Sequence, residues 1–368
     1  MRRVAHLVVI RVVVVGLLGF ALAVVGCGDD DGATGTDAGS RPLDSGRPMT
    51  DSGGVPTDAG PAVDSGPRAD AGSLPPGDLP YGDMGIAARH PGDMGIGADS
   101  DVIFADDFES YGSGADLDTN WNAGVYWNSD IETGGGANVF AGSQSLRFTA
   151  PMQTSELSNG VARTVSPELD VLFLRWYSKF DSSFDIWGSS HNGGGISAHY
   201  FMGGMATPGI PADGMNKFLI EYECWRGEMA EMTPGSLNIY IYHPEQRSMW
   251  GDHFFPNGDV MPNTSIPGNF GPTFMPRTNI TPEVGRWYAF ELMLRANTPG
   301  SRDGRIGMWL DGVLIGDFPN IRFRDIASLT IDRFGLSLHF GSNPSGVTHK
   351  WYDNVVAARS YIGPMVAP

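Results

Sequence analysis

The chain is short of cysteine, of basic residues and of helical periodicity, and each shortage removes a class of protein. Only Cys27 and Cys224 are present in 368 residues. With Cys27 in an export signal, Cys224 stands alone, so the exported part has no internal disulfide and its core must carry its stability. Cys224 is expected to pack as a small apolar residue. Lysine and arginine number 24 against 42 acidic residues, a net charge of −18, which excludes nucleic acid as a partner because phosphate binding needs basic patches. No stretch longer than about ten residues repeats apolar side chains at the helical period. The histidine-bearing stretches "HNGGG", "HYF" and "HPE" lack zinc-ligand spacing.

The one long apolar run is at the N-terminus. Arg2 and Arg3 precede "VVVVGLLGFALAVV", and "VVGC" ends it with small residues before Cys27. Residues 1–26 therefore read as a lipoprotein signal whose cleavage leaves Cys27 lipidated, so that the protein is anchored to a bacterial membrane and does not span it. Gly28, rather than aspartate, follows the cysteine, which favours the outer membrane or cell surface. Residues 27–100 read as a disordered tether. Asp-Ala/Ser-Gly triplets recur at Asp37, Asp44, Asp51, Asp58, Asp64 and Asp70, and "GDMGI" occurs at Gly82 and again at Gly92. Such Gly, Pro, Ser and Asp composition buries too little apolar area to offset ordering entropy.

Residues 101–368 form the working domain, expected to be a monomer. Short alternating runs separated by Gly, Pro, Asn and Asp predict an all-β sandwich of two antiparallel sheets. "RIGMWLDGVLIGD" predicts a hairpin turning at Asp311-Gly312. Each run has one apolar face: Leu172, Leu174 and Trp176; Phe218, Ile220, Tyr222 and Cys224; Leu237, Ile239 and Ile241; Phe290, Leu292 and Leu294; Phe334, Leu336 and Leu338. The opposite faces collect Arg175, Tyr177, Lys179, Glu221, Glu223, Asn238, Tyr240, Tyr242, Arg295 and His339. If one sheet curves, such residues line a cleft suited to a polysaccharide, with aromatics stacking on sugar rings and polar groups fixing hydroxyls. They are equally the residues of a solvated outer face.

The stretch 285–325 resembles the C-terminal half of polysaccharide lyase family 14, the alginate and glucuronan lyases. The shared pieces are Gly285-Arg286-Trp287, Asn297-Thr298-Pro299-Gly300, Asp303-Gly304, Trp309-x-Asp311-Gly312 and Arg322-Phe323-Arg324. The closing "KWYDNVVAARSYIGP" is similar to that group's last strand, and "FADDFESY" and "AGSQSLRF" are similar to the first strands of jelly-roll carbohydrate modules. The resemblance implies a concanavalin-like jelly roll acting on a uronate-containing polysaccharide. In that family a Tyr-x-Tyr pair on a cleft strand is associated with catalysis, and Tyr240 and Tyr242 match it. The family's lysine near a Gly-rich loop is replaced here by His191 in "SSHNGGGISAHY", and Glu221 and Glu223 stand where a basic residue is expected.

Three chemistries compete. In β-elimination the uronate carboxylate is neutralised, the neighbouring ring proton removed and the leaving oxygen protonated. Tyr240 and Tyr242 serve as acid or base if cations lower their pKa from about 10. His191 or His199 serves as base or neutraliser, and Arg175 grips the carboxylate bidentately. Glu221, Glu223, Asn238, Tyr177, Lys179 and His339 would bind the chain. In hydrolysis Glu221 and Glu223, about 6–7 Å apart by strand rise, form the carboxylate pair, although the Glu-x-Asp-x-x-Glu signature of jelly-roll glucanases is missing. In binding without catalysis the tyrosines are a stacking platform. No cofactor is required. Asp107, Glu109 and Asp353 are candidates for a structural calcium, with a solvated turn and a hydrogen-bonded aspartate as the alternative.

Overall fold

The computed structural model describes residues 78–188, 190–202, 206–227, 232–262 and 270–368. The export signal, Cys27 and the Asp-Ala/Ser-Gly repeats lie outside them. The alternating runs build two antiparallel sheets. The back sheet runs β15 (Val313–Ile321), β14 (Gly304–Leu310), β13 (Tyr288–Arg295), β6 (Val171–Phe180), β17 (Thr348–Ala358), β4 (Gln144–Ala150) and β3 (Ser129–Thr133), with β1 (Val102–Asp106) also on β17. The front sheet runs β12 (Val260–Met261), β11 (Asp252–Phe254), β10 (Ser236–Tyr242), β9 (Phe218–Trp225), β8 (Gly194–Ala198), β16 (Ile331–Phe340), β5 (Leu157–Leu169) and β2 (Gly124–Tyr126), and β7 (Ser190–His191) pairs with β16. The hairpin turns as read: Asp311 and Gly312 have φ of 49° and 75°, the left-handed pair of a tight primed turn.

The apolar faces of both sheets meet in one core. Trp176 stacks on Phe290 with centroids 5.6 Å apart and meets Tyr222 edge-on at 5.8 Å. Opposite Trp176 a side chain on Gly194 is impossible, since a Cβ there would lie 2.8 Å from the indole. Cys224 is buried and free, and burial pushes its thiol up to about 12, so it packs as an inert apolar residue.

Two sequence readings need correction. The first concerns residues 78–100, read as part of the tether: they are folded onto the domain. Residues 79–99 lie along the outer face of the back sheet, held by the closing strand's extension: Ile86 and Ala87 donate to Tyr361 O and Ile362 O, Gly92 to Val366 O, and the Trp309 indole to Pro80 O. The final isoleucine of each "GDMGI" copy, Ile86 and Ile96, is buried there with Leu79 and Trp309. Composition hid this because two isoleucines suffice when the sheet supplies the rest of the surface.

The second concerns Arg175, Tyr177 and Lys179. All three project from β6 on the back sheet's outer face, with the whole sandwich between them and Tyr240. Alternation tells which face a residue takes, not which sheet its strand joins. Arg175 is fully buried and grips both carboxylate oxygens of Asp93, with Nη1 to Oδ1 at 3.2 Å and Nη2 to Asn354 O at 3.0 Å. Beside it Glu291 accepts from Ile362 N and Gly363 N at 2.8 Å. Tyr177 stacks on Phe140 at 3.6 Å and accepts from Met365 N. Lys179 reaches Ala137 O and Asn138 Oδ1. Removing one partner of a buried ion pair strands the other charge. Asp93→Ala should therefore lose about 3–5 kcal/mol of stability in urea unfolding, although Asp93 sits in a segment of linker-like composition.

Candidate functional site

Strand register gathers a polar group on the front sheet's outer face. Across the sheet Tyr240 of β10 stands opposite His253 of β11 and Glu221 of β9, and Asn238 stands opposite Glu223. Glu221 faces Gly195 of β8, and His339 of β16 faces His191 of β7. This face is not open surface. Tyr240, Tyr242, Glu223 and Asn238 are buried, and Tyr200, Phe201 and Ala212 pack over the tyrosine end. Glycine keeps the floor low beside Glu221, because a Cβ on Gly195 would come within 3.1 Å of its Cγ.

Tyr240 is the hub. Its ring lies 4.6 Å from His191, 4.9 Å from His253 and 5.7 Å from Tyr242. Its hydroxyl accepts from Gly251 N at 2.9 Å. Glu223 touches both imidazoles, Oε2 at 2.9 Å from His191 Nδ1 and Oε1 at 3.8 Å from His253 Nδ1. His253 Nδ1 bonds Asn238 Oδ1 at 2.9 Å, so that nitrogen carries the hydrogen and donates. Ser337 Oγ donates to Glu221 Oε2 at 3.0 Å, and His339 Nδ1 bonds Ser158 Oγ at 2.8 Å. The ligand atoms of His191, Glu221 and Glu223 lie within 4.8 Å of one another.

Burial decides most charges here. It lowers His191, but the adjacent Glu223 carboxylate outweighs it and leaves the imidazole up at about 9. Burial raises Glu223 to about 7 against the pull of His191. Burial and then the charge of His191 hold His253 and His339 down at about 3. Two neutral imidazoles therefore flank a charged one. Tyr240 departs from the expectation that cations acidify it. Burial, then Tyr242, pushes the Tyr240 hydroxyl far above its ordinary value. The ammonium of Lys217 sits 4.5 Å over the Tyr242 ring, a stacking contact across the ring face, and is itself lowered by burial to about 8.

One cation serves the site from below. Lys350, on β17 of the back sheet, crosses the core and donates to Asn192 O. Asn192 in turn bonds Cys224 N and Cys224 O through its side chain. The arch that carries His191 is thus pinned from inside the sandwich, and burial lowers the Lys350 ammonium to about 7.

Of the residues expected at the site, Tyr240, Tyr242, His191, His339, Glu221, Glu223 and Asn238 share this face. His199 does not join them. It follows the far end of β8 and lies 3.7 Å from Glu168. Arg175, Tyr177 and Lys179 are on the other sheet. The calcium candidates are taken up in hydrogen bonds: Glu109 accepts from Ser143 N and Gln144 N, Asp353 from Phe140 N and Ala141 N, and Asp107 from Glu109 N. His253, Ser337 and Lys350 were not legible as site residues. His253 belongs to a three-residue strand too short to show alternation, and Lys350 looks outward in any reading that treats lysine as surface. Replacing His191 by glutamine removes one of the two causes that hold His253 and His339 low. Both should titrate at higher pH in His191→Gln, as read by histidine side-chain NMR in buffer containing EDTA.

No family model and no curated protein matches the chain. Among solved structures it is similar to alginate lyase Aly36B, as a double mutant in complex with an alginate trisaccharide (20% identity, TM-score 0.50, covering 70% of this chain and 97% of that one). A second Aly36B double mutant, in complex with an alginate tetrasaccharide, matches at 20% identity and TM-score 0.50 over 71% and 98%. Alginate lyase vAL-1 from Chlorella virus matches at 16% identity and TM-score 0.48 over 70% and 99%. The likeness is one of fold: the two-sheet jelly roll is the architecture of these lyases.

Proposed function

We propose that the outer face of the front sheet binds a uronate-containing polysaccharide and cleaves it by β-elimination. The observation that carries this is Tyr240 in ring contact with both His191 and His253, with Glu223 touching both imidazoles. Environments that push like groups to opposite protonation states mark acid and base roles. The fold shared with lyases bound to alginate oligosaccharides supports a polyuronate as the substrate class.

The roles follow from the hydrogen bonds. His253 donates from Nδ1 to Asn238, so its Nε2 bears the lone pair that takes the proton from the ring carbon beside the carboxylate. The electrons form the ring double bond as the glycosidic C–O bond breaks. Tyr240, kept protonated by burial, gives its proton to the leaving oxygen. Its hydroxyl is oriented by Gly251 N, which occupies a lone pair, and by a hydrogen bond with Tyr242.

The test is to incubate the full-length chain with alginate, glucuronan and related polyuronates and follow ultraviolet absorbance of the unsaturated product. Tyr240→Phe should lower the rate by ~10²–10⁴ while polymer is still retained in a pull-down. Retention without product from the unsubstituted protein would leave a glycan-binding protein, and new reducing ends without absorbance would return hydrolysis by Glu221 and Glu223. The sequence also supports membrane attachment through a lipidated Cys27. Cys27→Ser should then move the protein from the membrane to the soluble fraction of expressing bacteria.

A further inference from the structure

Glu221 and Glu223 raise a problem of charge. They project from the same face of β9, two residues apart, Glu221 half-buried and Glu223 buried. A polyuronate brings further carboxylates to this face. Lys217 and Arg333, the cations toward its other end, already have partners: Lys217 donates to Thr207, and Arg333 to Ala123 O and the Tyr126 hydroxyl. Lys350 lies beneath the sheet, out of a ligand's reach.

The oxygens of Glu223 are unequally served. Oε2 is bonded to His191, whereas Oε1 is buried with no hydrogen-bond partner. A buried carboxylate oxygen left unpaired is unfavourable, and this one belongs to a side chain only 2% exposed. The same carboxylate belongs to a cluster with Glu221 and His191 in which one ligand atom from each residue lies within 4.8 Å of the others, close enough to share one small ion.

We propose that His191, Glu221 and Glu223 hold a divalent metal ion on the outer face of the front sheet, and that its open coordination positions receive the uronate carboxylate. One imidazole with two carboxylates suits manganese or zinc better than calcium, which takes six to eight oxygens. Binding at His191 Nδ1 releases the hydrogen shared with Glu223 Oε2 to solvent, and the ion takes over as counter-charge. Tyr240 then keeps a positive neighbour on its His191 side, and the glutamates found where a basic residue was expected become the means of placing positive charge there. The carboxylate part rests on the lyase reading; the metal part does not.

The full-length chain, stripped with EDTA, is titrated with Mn²⁺, Zn²⁺ and Ca²⁺ chlorides by calorimetry, and the bound ion is counted by elemental analysis. One Mn²⁺ or Zn²⁺ per chain is expected, with affinity at least about tenfold weaker in Glu223→Gln and in Glu221→Gln, two near-isosteric changes whose folding is checked by circular dichroism. Electron paramagnetic resonance of the Mn²⁺ form should broaden when a uronate oligosaccharide is added. No ion bound by the unsubstituted chain, or affinity unchanged in both folded variants, overturns the metal site, even if the protein cleaves polyuronates. An ion bound in the expected ratio with no spectral change on adding oligosaccharide overturns carboxylate coordination and leaves the metal site standing.

Discussion

The packing of Trp176 between Phe290 and Tyr222 sets the terms for the rest of the domain. The indole fills the space between the sheets so fully that the strand facing it can carry no side chain at residue 194. That requirement places glycine at the centre of the front sheet. The chain enters β8 through His191 and Asn192, and Asn192 is tied down on both sides of Cys224. A core contact thus dictates where the histidine of the outer face stands. The large aromatic is on one sheet, and the polar consequence appears on the far side of the other.

Charge is handled differently on the two outer faces. On the back sheet Arg175 and Glu291 have dedicated partners: Arg175 has Asp93, with only its Nε unserved, and Glu291 has two backbone N–H groups. That is the arrangement of a surface closed for structure, where a buried charge is held by a fixed counter-charge or by backbone donors. On the front sheet the ledger is left open. Glu223 has an unserved oxygen, and three histidines adopt two charge states within one cluster. Incomplete satisfaction on a buried face is where chemistry and ligands act.

Much of this was legible in the residues. Strict alternation identified the core side of β9, β10, β13 and β16, and Asp311-Gly312 identified its hairpin. Alternation puts the Tyr-x-Tyr pair and the two glutamates on non-core faces, and β9 and β10 bring them side by side. What failed has a common cause. Arg175 was assigned to the cleft because a period of two distinguishes the faces of a strand but carries nothing about which sheet the strand enters. The "GDMGI" copies were read as tether because their partners are remote: Asp93 meets Arg175 across 82 positions. His253 escaped because a three-residue strand has no period to detect. Local pattern was informative wherever the deciding neighbour was local.

The segment 79–99 has a geometric consequence. It runs along the back sheet, on the opposite side of the sandwich from Tyr240. The outer face of the front sheet is therefore left uncovered by this segment, and a ligand lying across its strands would have the whole sandwich between itself and residues 79–99.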